Sequence, residues 1–262
     1  MPRFAANLTF LWSDRPFNAR FDAAARAGFG AVEYMFPYAE DIDAIAGELR
    51  RLKLRQALFN LPAGDWAAGD RGIAVDPGRR GEFREGVRLA VEIARRLGCP
   101  RVNCLVGKQM EGVPLAEQWA CLVDNLKSAA AAFEEVGLVL LVEAVNTFDI
   151  PGFFLRTTSE AFHLQEAVGA ANLKVQFDVY HAQRMEGNLV HTLRNNIGRI
   201  GHIQVADSPD RNQPGTGEIN FGYLFRVLDR TDYAGDVGLE YRPAGTTDES
   251  FGWIEELGYT RS

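Results

Sequence analysis

Four polar side chains in this sequence close apolar β-type runs at intervals that suggest one repeating unit. Glu143 ends Leu138-Val-Leu-Leu-Val, Asp178 ends Val175-Gln-Phe, Gln204 lies in His202-Ile-Gln-Val, and Glu240 follows Val237-Gly-Leu. The intervals between them are 35, 26 and 36 residues. Each is close to one strand-plus-helix repeat, so four successive strands present a carboxylate or amide at the same level, their carboxyl ends. Barrel enzymes place their active sites at that end. An isolated carboxylate is expensive to bury, and converging carboxylates repel one another. A divalent cation relieves both costs, and an all-oxygen donor set of Glu, Asp and Gln suits a hard ion such as Mg2+ or Mn2+. A single strand-end glutamate is more often an ion-pair partner or a loop cap. Four in register point to a metal site.

The elements needed to position them can be read along the whole chain. Strand patterns cover 4–8, 31–34, 55–60, 101–106, 138–144, 173–179, 200–206 and 235–241, and helical patterns cover 17–27, 41–52, 79–97, 115–136, 159–168, 189–195, 221–230 and 251–257. Glycines 28, 98, 137 and 169 follow four of the helices, where a helix stop is expected. Alternating strands and helices argue for a parallel sheet, and eight units at roughly 33-residue spacing argue for its closure into a (β/α)8 TIM barrel, class α/β, with residues 1–262 forming one domain. A doubly wound open sheet is the rival, but no GxGxxG follows the first strand. Residues 61–77, rich in Gly, Asp and Pro, form a long irregular segment of the kind that is usually functional or disordered.

Composition narrows the partners. The 262 residues are 47% hydrophobic and 24% charged, ordinary for a globular chain. The net charge of −7, with no long basic run, argues against nucleic acid or an anionic membrane as partner. The three cysteines, Cys99, Cys104 and Cys121, are odd in number and lack CxxC spacing, so no disulfide framework is expected. No long apolar leader opens the sequence and no run of 18 apolar residues exists, which makes a cytoplasmic location the expectation.

Beyond the four strand ends, longer motifs resemble the hydroxypyruvate isomerase family, within the xylose isomerase-like barrels that include the ketose 3-epimerases. They are Phe4-Ala-Ala-Asn-Leu8, Val32-Glu-Tyr-Met-Phe-Pro-Tyr38, Phe59-Asn-Leu-Pro-Ala-Gly-Asp-Trp-Ala-Ala-Gly-Asp-Arg-Gly72, Val142-Glu-Ala-Val-Asn146, Phe177-Asp-Val-Tyr-His-Ala-Gln-Arg-Met-Glu-Gly187, and His202-Ile-Gln-Val-Ala-Asp207 running into Pro214-Gly-Thr-Gly-Glu-Ile-Asn220. The resemblance implies that Glu143 and Glu240 are both metal ligands and proton-transfer groups, with Asp178 and Gln204 completing the metal site. The epimerases usually carry histidine where this chain has Gln204, and that difference favours hydroxypyruvate over a sugar. An isomerase of a four-carbon oxo-acid (2-oxo-tetronate) or a ketose 3-epimerase is the alternative. The implied reaction moves a carbonyl to the neighbouring carbon through an enediolate, interconverting hydroxypyruvate and tartronate semialdehyde, with the metal as Lewis acid and a glutamate as base. A homo-oligomer is also what the family suggests.

Other residues carry functional and structural readings side by side. His181, in the segment leaving strand six, is expected to meet a substrate oxygen, against a loop histidine bonded to backbone. Arg211 suits a substrate carboxylate, although surface arginines are common in this chain. Glu33 could meet a substrate hydroxyl, orient His181, or form a structural ion pair. Trp66, Asp65 and Arg71 are candidates for a water-excluding lid, with packing on the barrel rim as the alternative for Trp66. Glu186 and Asp207 could orient ligands, whereas His163, His191 and His202 read as structural. A nuclease of the endonuclease IV type would need several metal-binding histidines and a basic track, and the chain has four histidines in all. A non-catalytic binding barrel would not need three converging carboxylates.

Overall fold

In the computed structural model, which describes residues 1–261, eight parallel strands close into a barrel in sequence order: β1 (Arg3–Asn7), β2 (Ala31–Glu33), β3 (Arg55–Asn60), β4 (Arg101–Cys104), β5 (Val139–Glu143), β6 (Leu173–Asp178), β7 (Ile200–Val205) and β8 (Asp236–Leu239), with β8 returning to β1. Helices α1 (Phe17–Arg26), α2 (Ile42–Leu52), α3 (Arg80–Leu97), α4 (Leu115–Glu134), α5 (Thr158–Val168), α6 (Val179–Met185), α7 (Leu189–Asn196), α8 (Phe221–Leu228) and α9 (Gly252–Glu256) fill the crossovers and the C-terminal segment. The expected strands are all present, several of them one to three residues shorter. α6 was not foreseen: Asp178 caps it directly at the end of β6, its Oδ1 accepting from the backbone N–H of Tyr180 at 2.8 Å. The last expected helix is α9, and a 3-10 turn, Asp248–Phe251, leads into it.

Local chemistry explains the ends. Asp41 caps α2, and Thr157 with Glu160 forms a reciprocal capping box on α5. Gly98 and Gly169 end α3 and α5 with φ of 62° and 71°, the left-handed conformation a side chain disfavours. The segment 61–77 carries no helix or strand before a short 3-10 turn at Pro77–Arg79, yet it is packed. Gly72 lies so close to β4's exit that a Cβ would stand 1.9 Å from the Leu105 carbonyl oxygen.

The apolar core lies chiefly between strands and helices. Phe4 points outward from β1 into an aromatic cluster with Phe225, Trp253 and Tyr259, at ring-centroid distances of 5.3–6.3 Å. Alternation along the strands sends their other side chains into the barrel. There Ala5, Ala31 and Ala57 form a small separate cluster, whereas Asn7, Glu33, Asn103, Gln176, His202 and Gln204 are buried polar groups. This barrel is therefore apolar outside its sheet and substantially polar within, which suits a scaffold for charged groups at one end.

Replacing Phe4 by alanine should cost about 3–5 kcal/mol of stability, from lost burial and the cavity left behind, measured by urea unfolding. A loss below about 1 kcal/mol would show that the aromatic cluster does not hold the strand–helix layers together.

Candidate active site

Glu143 and Asp178 end β5 and β6 and Glu240 directly follows β8, on one rim of the barrel, and with His181 they offer ligand atoms that all lie within 4.8 Å of one another. All four are buried. A cavity of about 730 Å3 opens above them, lined among others by Phe10, Tyr34, Trp66, Tyr180, Arg211 and Arg242.

Two carboxylates of this cluster are strongly perturbed. Burial pushes Glu143 from 4.5 up to about 8, the negative charge of Asp178 adds to the effect, and Arg211, Gln176 and Asn103 oppose it. Burial likewise raises Glu240 well above the ordinary range, opposed first by Arg211. Asp178 is asymmetric. Its Oδ1 caps α6, while its Oδ2 is buried without a hydrogen-bond partner. An orphaned carboxylate oxygen facing two more carboxylates is the arrangement a divalent cation would complete, and oxygen donors fit a hard ion.

His181 has a defined role in this network. The Asn146 Oδ1 accepts from the N–H groups of Phe148 and Asp149, so its Nδ2 must donate, and it lies 2.7 Å from His181 Nδ1. Nδ1 is thus the acceptor and the ring proton sits on Nε2, which faces Asp178 Oδ2 at 3.6 Å and Glu143 Oε1 at 4.0 Å. Burial lowers the imidazole from 6.5 to about 4, which keeps it neutral. A neutral ring with Nε2–H turned into the site is a hydrogen-bond donor to an oxygen there rather than a metal ligand.

Arg211 reaches the cluster from the loop after β7. Its Nη2 donates to Glu240 Oε2 at 2.8 Å and lies 3.8 Å from Asp178 Oδ2. The guanidinium lies near the rings of Phe10 and Tyr180, at 5.2 and 5.1 Å from their centroids. Its backbone takes φ of 60°, a costly conformation for a side-chain-bearing residue that functional sites often hold. Asp207 sustains that loop by accepting backbone N–H groups of Ser208, Gly215, Gly217 and Ile219. It orders the arginine's loop instead of orienting a ligand side chain.

The remaining expectations divide. Gln204 lies beside the cluster with its Oε1 accepting from Gln176 at 2.6 Å. Glu33 does not line the cavity and does not bond His181; its fully buried carboxylate accepts from Asn7, Gln204 and His202. Glu186 does not orient a ligand either: it accepts the N–H and hydroxyl of Thr158 and anchors the start of α5. Trp66 lines the cavity, packs against Phe36 at 5.2 Å and carries the Arg71 guanidinium 3.9 Å over its ring. Asp65 accepts the N–H of Ala68 within the same segment. His163 stacks on Trp119 and His191 pairs with Asn195. The sequence reading missed the amides: Asn7, Asn103 and Asn146 each hold a charged or ring group of the site, and Gln176 holds the amide of Gln204. The inward alternation of the strands, which places Asn7 and Gln176 two residues from another inward position, is the signal that could have found them.

The family model of the xylose isomerase-like TIM barrels matches residues 21–257. A hydroxypyruvate isomerase of Escherichia coli is 50% identical over 97% of this chain and 99% of that protein, and a 2-oxo-tetronate isomerase of Cupriavidus necator is 44% identical over 97% and 98%. Among solved structures, a Brucella melitensis protein described as a family 2 AP endonuclease superposes with a TM-score of 0.95 at 43% identity, covering 98% of this chain and 99% of that one. A D-allulose 3-epimerase of a Methylomonas species shares the fold, with a TM-score of 0.77, 21% identity, and coverage of 100% and 93%. The chain belongs to the xylose isomerase-like TIM barrels and, among them, to the hydroxypyruvate isomerase family.

The shifts set a pH dependence. Between pH 4.5 and 6.5 they oppose: the unfolded chain holds the proton on histidine, the folded chain on Glu143. From pH 6.5 to 8 only the carboxylate difference remains, the folded chain binds more protons, and stability falls as pH rises, with Glu240 acting in the same direction. The melting temperature of metal-stripped protein should therefore drop across that interval. Added Mn2+ should raise it more at the upper end, since ligation needs deprotonated carboxylates. A melting temperature that climbs from pH 6.5 to 8 would contradict the assignment of raised carboxylates.

Proposed function

We propose that this enzyme interconverts hydroxypyruvate and tartronate semialdehyde with a divalent cation, Mg2+ or Mn2+, held by Glu143, Asp178, Gln204 and Glu240. The observation that carries the reading is the orphaned, buried Oδ2 of Asp178 set among the raised carboxylates of Glu143 and Glu240. The 50% identity to the Escherichia coli hydroxypyruvate isomerase supports the choice of substrate. When bound, the cation would supply Lewis-acid polarisation of the substrate's adjacent oxygens. The chain's own groups do the rest. Glu143 and Glu240, both raised by burial, can take a proton from one carbon and return one to the next near neutral pH. The Nε2–H of His181 donates to an oxygen that gains charge in the enediolate. Arg211 supplies a fixed positive charge for the substrate carboxylate. Trp66 and the segment around it cover the cavity and limit water that would quench the enediolate.

A second reading, isomerisation of 2-oxo-tetronate, is favoured by two observations: the 44% identical Cupriavidus relative, and a cavity of about 730 Å3 that leaves room for a fourth carbon. The nuclease description of the Brucella protein does not carry over. The net charge is −7, and among the described residues the cluster holds one histidine. No helix among the described residues is long and apolar enough to cross a membrane, and a cytoplasmic location is proposed with the activity.

Metal-stripped protein should turn over hydroxypyruvate only after Mg2+ or Mn2+ is restored, and Glu240→Gln should lower kcat by about 10²–10⁴-fold, the contribution of a positioned base. Turnover of 2-oxo-tetronate in place of hydroxypyruvate, assayed beside D-tagatose and D-fructose, would keep the site and replace the substrate. No metal-dependent turnover of any of them would overturn the reading.

A further inference from the structure

Inside the barrel, below the carboxylate cluster, Glu33 organises a directional chain of amides. Asn7 Oδ1 accepts the N–H of Thr9, so its Nδ2 donates, and it reaches Glu33 Oε1 at 2.9 Å. His202 Nδ1 faces the Arg101 guanidinium at 3.5 Å and is therefore an acceptor, leaving the proton on Nε2, which lies 2.7 Å from Glu33 Oε2. Gln204 Nε2 donates to Glu33 Oε1 at 2.8 Å. With its nitrogen committed there, Gln204 turns its oxygen the other way, and Gln176 Nε2 donates to it at 2.6 Å. Gln176 stands opposite Glu143 in the β5–β6 register and favours that carboxylate's charged form.

The barrel makes room for this carboxylate. Gly238 faces it from β8, where a Cβ would stand 2.2 and 2.4 Å from the two Glu33 oxygens. Its φ lies outside the left-handed range, so the glycine answers to space rather than backbone conformation. A carboxylate with no exposed surface, three donors and a cleared cradle in the neighbouring strand is a built feature.

We propose that Glu33 is a positioning residue that acts through Gln204: by accepting from its nitrogen, Glu33 turns the amide oxygen toward Gln176, which stands opposite Glu143 and two residues before Asp178 on β6. This rests on the metal reading above and on no particular substrate. A carboxylate can only accept, whereas an amide at position 33 could offer Gln204 either group and leave its orientation undetermined.

The test is a double-mutant cycle read as Mn2+ affinity by calorimetry on the full-length chain, with melting temperature recorded for each variant. Glu33→Gln should weaken Mn2+ binding about 10- to 100-fold, as loss of a ligand's orienting partner does. Gln204→Ala should also weaken it, and adding Glu33→Gln to Gln204→Ala should change the affinity by less than about twofold. A residue acting only through packing, or through its charge at long range, would have the same effect in both backgrounds, and that additivity would overturn the proposal. Unchanged affinity in Glu33→Gln would also overturn it. Gly238→Ala drives a methyl group against the same carboxylate without altering charge. It should reproduce the loss and its dependence on Gln204, and it supplies the cycle where Glu33→Gln does not fold. Wild-type protein that binds no Mn2+ would sink this proposal together with the metal reading, while failure to turn over hydroxypyruvate would sink the substrate alone, because turnover is not a readout here.

Discussion

Like charges gathered in a dry protein interior need a counter-charge, and that requirement shapes this barrel. Glu143, Asp178 and Glu240 converge with burial opposing ionisation of the two glutamates and mutual repulsion adding to it. Three responses are visible. Two glutamates are held toward their protonated forms, the Arg211 guanidinium reaches in to Glu240, and the amides of Asn7 and Asn103 donate into the cluster. None of these satisfies Asp178 Oδ2. A cation answers all the demands together, which is why the residues read more coherently as a metal site than as an ion-pair network.

The same requirement reaches down the barrel. A carboxylate cluster held by amides needs those amides held in turn, because each can rotate to present the wrong group. Direction is imposed by groups with no such freedom: the Glu33 carboxylate below, and the backbone N–H groups that fix Asn146 and hence the His181 tautomer. Polar packing inside the sheet and aromatic packing outside it are thus two parts of one design. The outer layer, anchored by residues such as Phe4, supplies the stability that lets the inner one be polar.

The barrel was legible in the sequence because its signals are local: apolar runs recur eight times, and glycines close four of the helices between them. The three carboxylates were legible for the same reason, since each interrupts an apolar run at one repeat's spacing. What escaped depends on contacts across the barrel. Glu33 is separated from His202 and Gln204 by 169 and 171 residues, so nothing near it in the chain indicates that its partners lie on β7 and not in the cavity. Glu186 and Asp207 were read as supporting ligands because they are acidic and close in sequence to the site, yet both serve backbone N–H groups. α6 has no separate start signal in the sequence, because one residue does two things: the oxygens of Asp178 divide between capping a helix and facing the cluster.

The most direct test of the central claim is anomalous diffraction at the manganese edge from crystals grown with Mn2+. The account predicts one strong peak about 2.0–2.3 Å from oxygens of Glu143, Asp178 and Glu240, with the amide oxygen of Gln204 turned to it and the Asp178 Oδ2 no longer orphaned. Crystals with no peak there at saturating Mn2+, and with the Arg211 guanidinium still serving as the cluster's cation, would show that these carboxylates are balanced by the chain itself and that the metal centre is wrongly assigned.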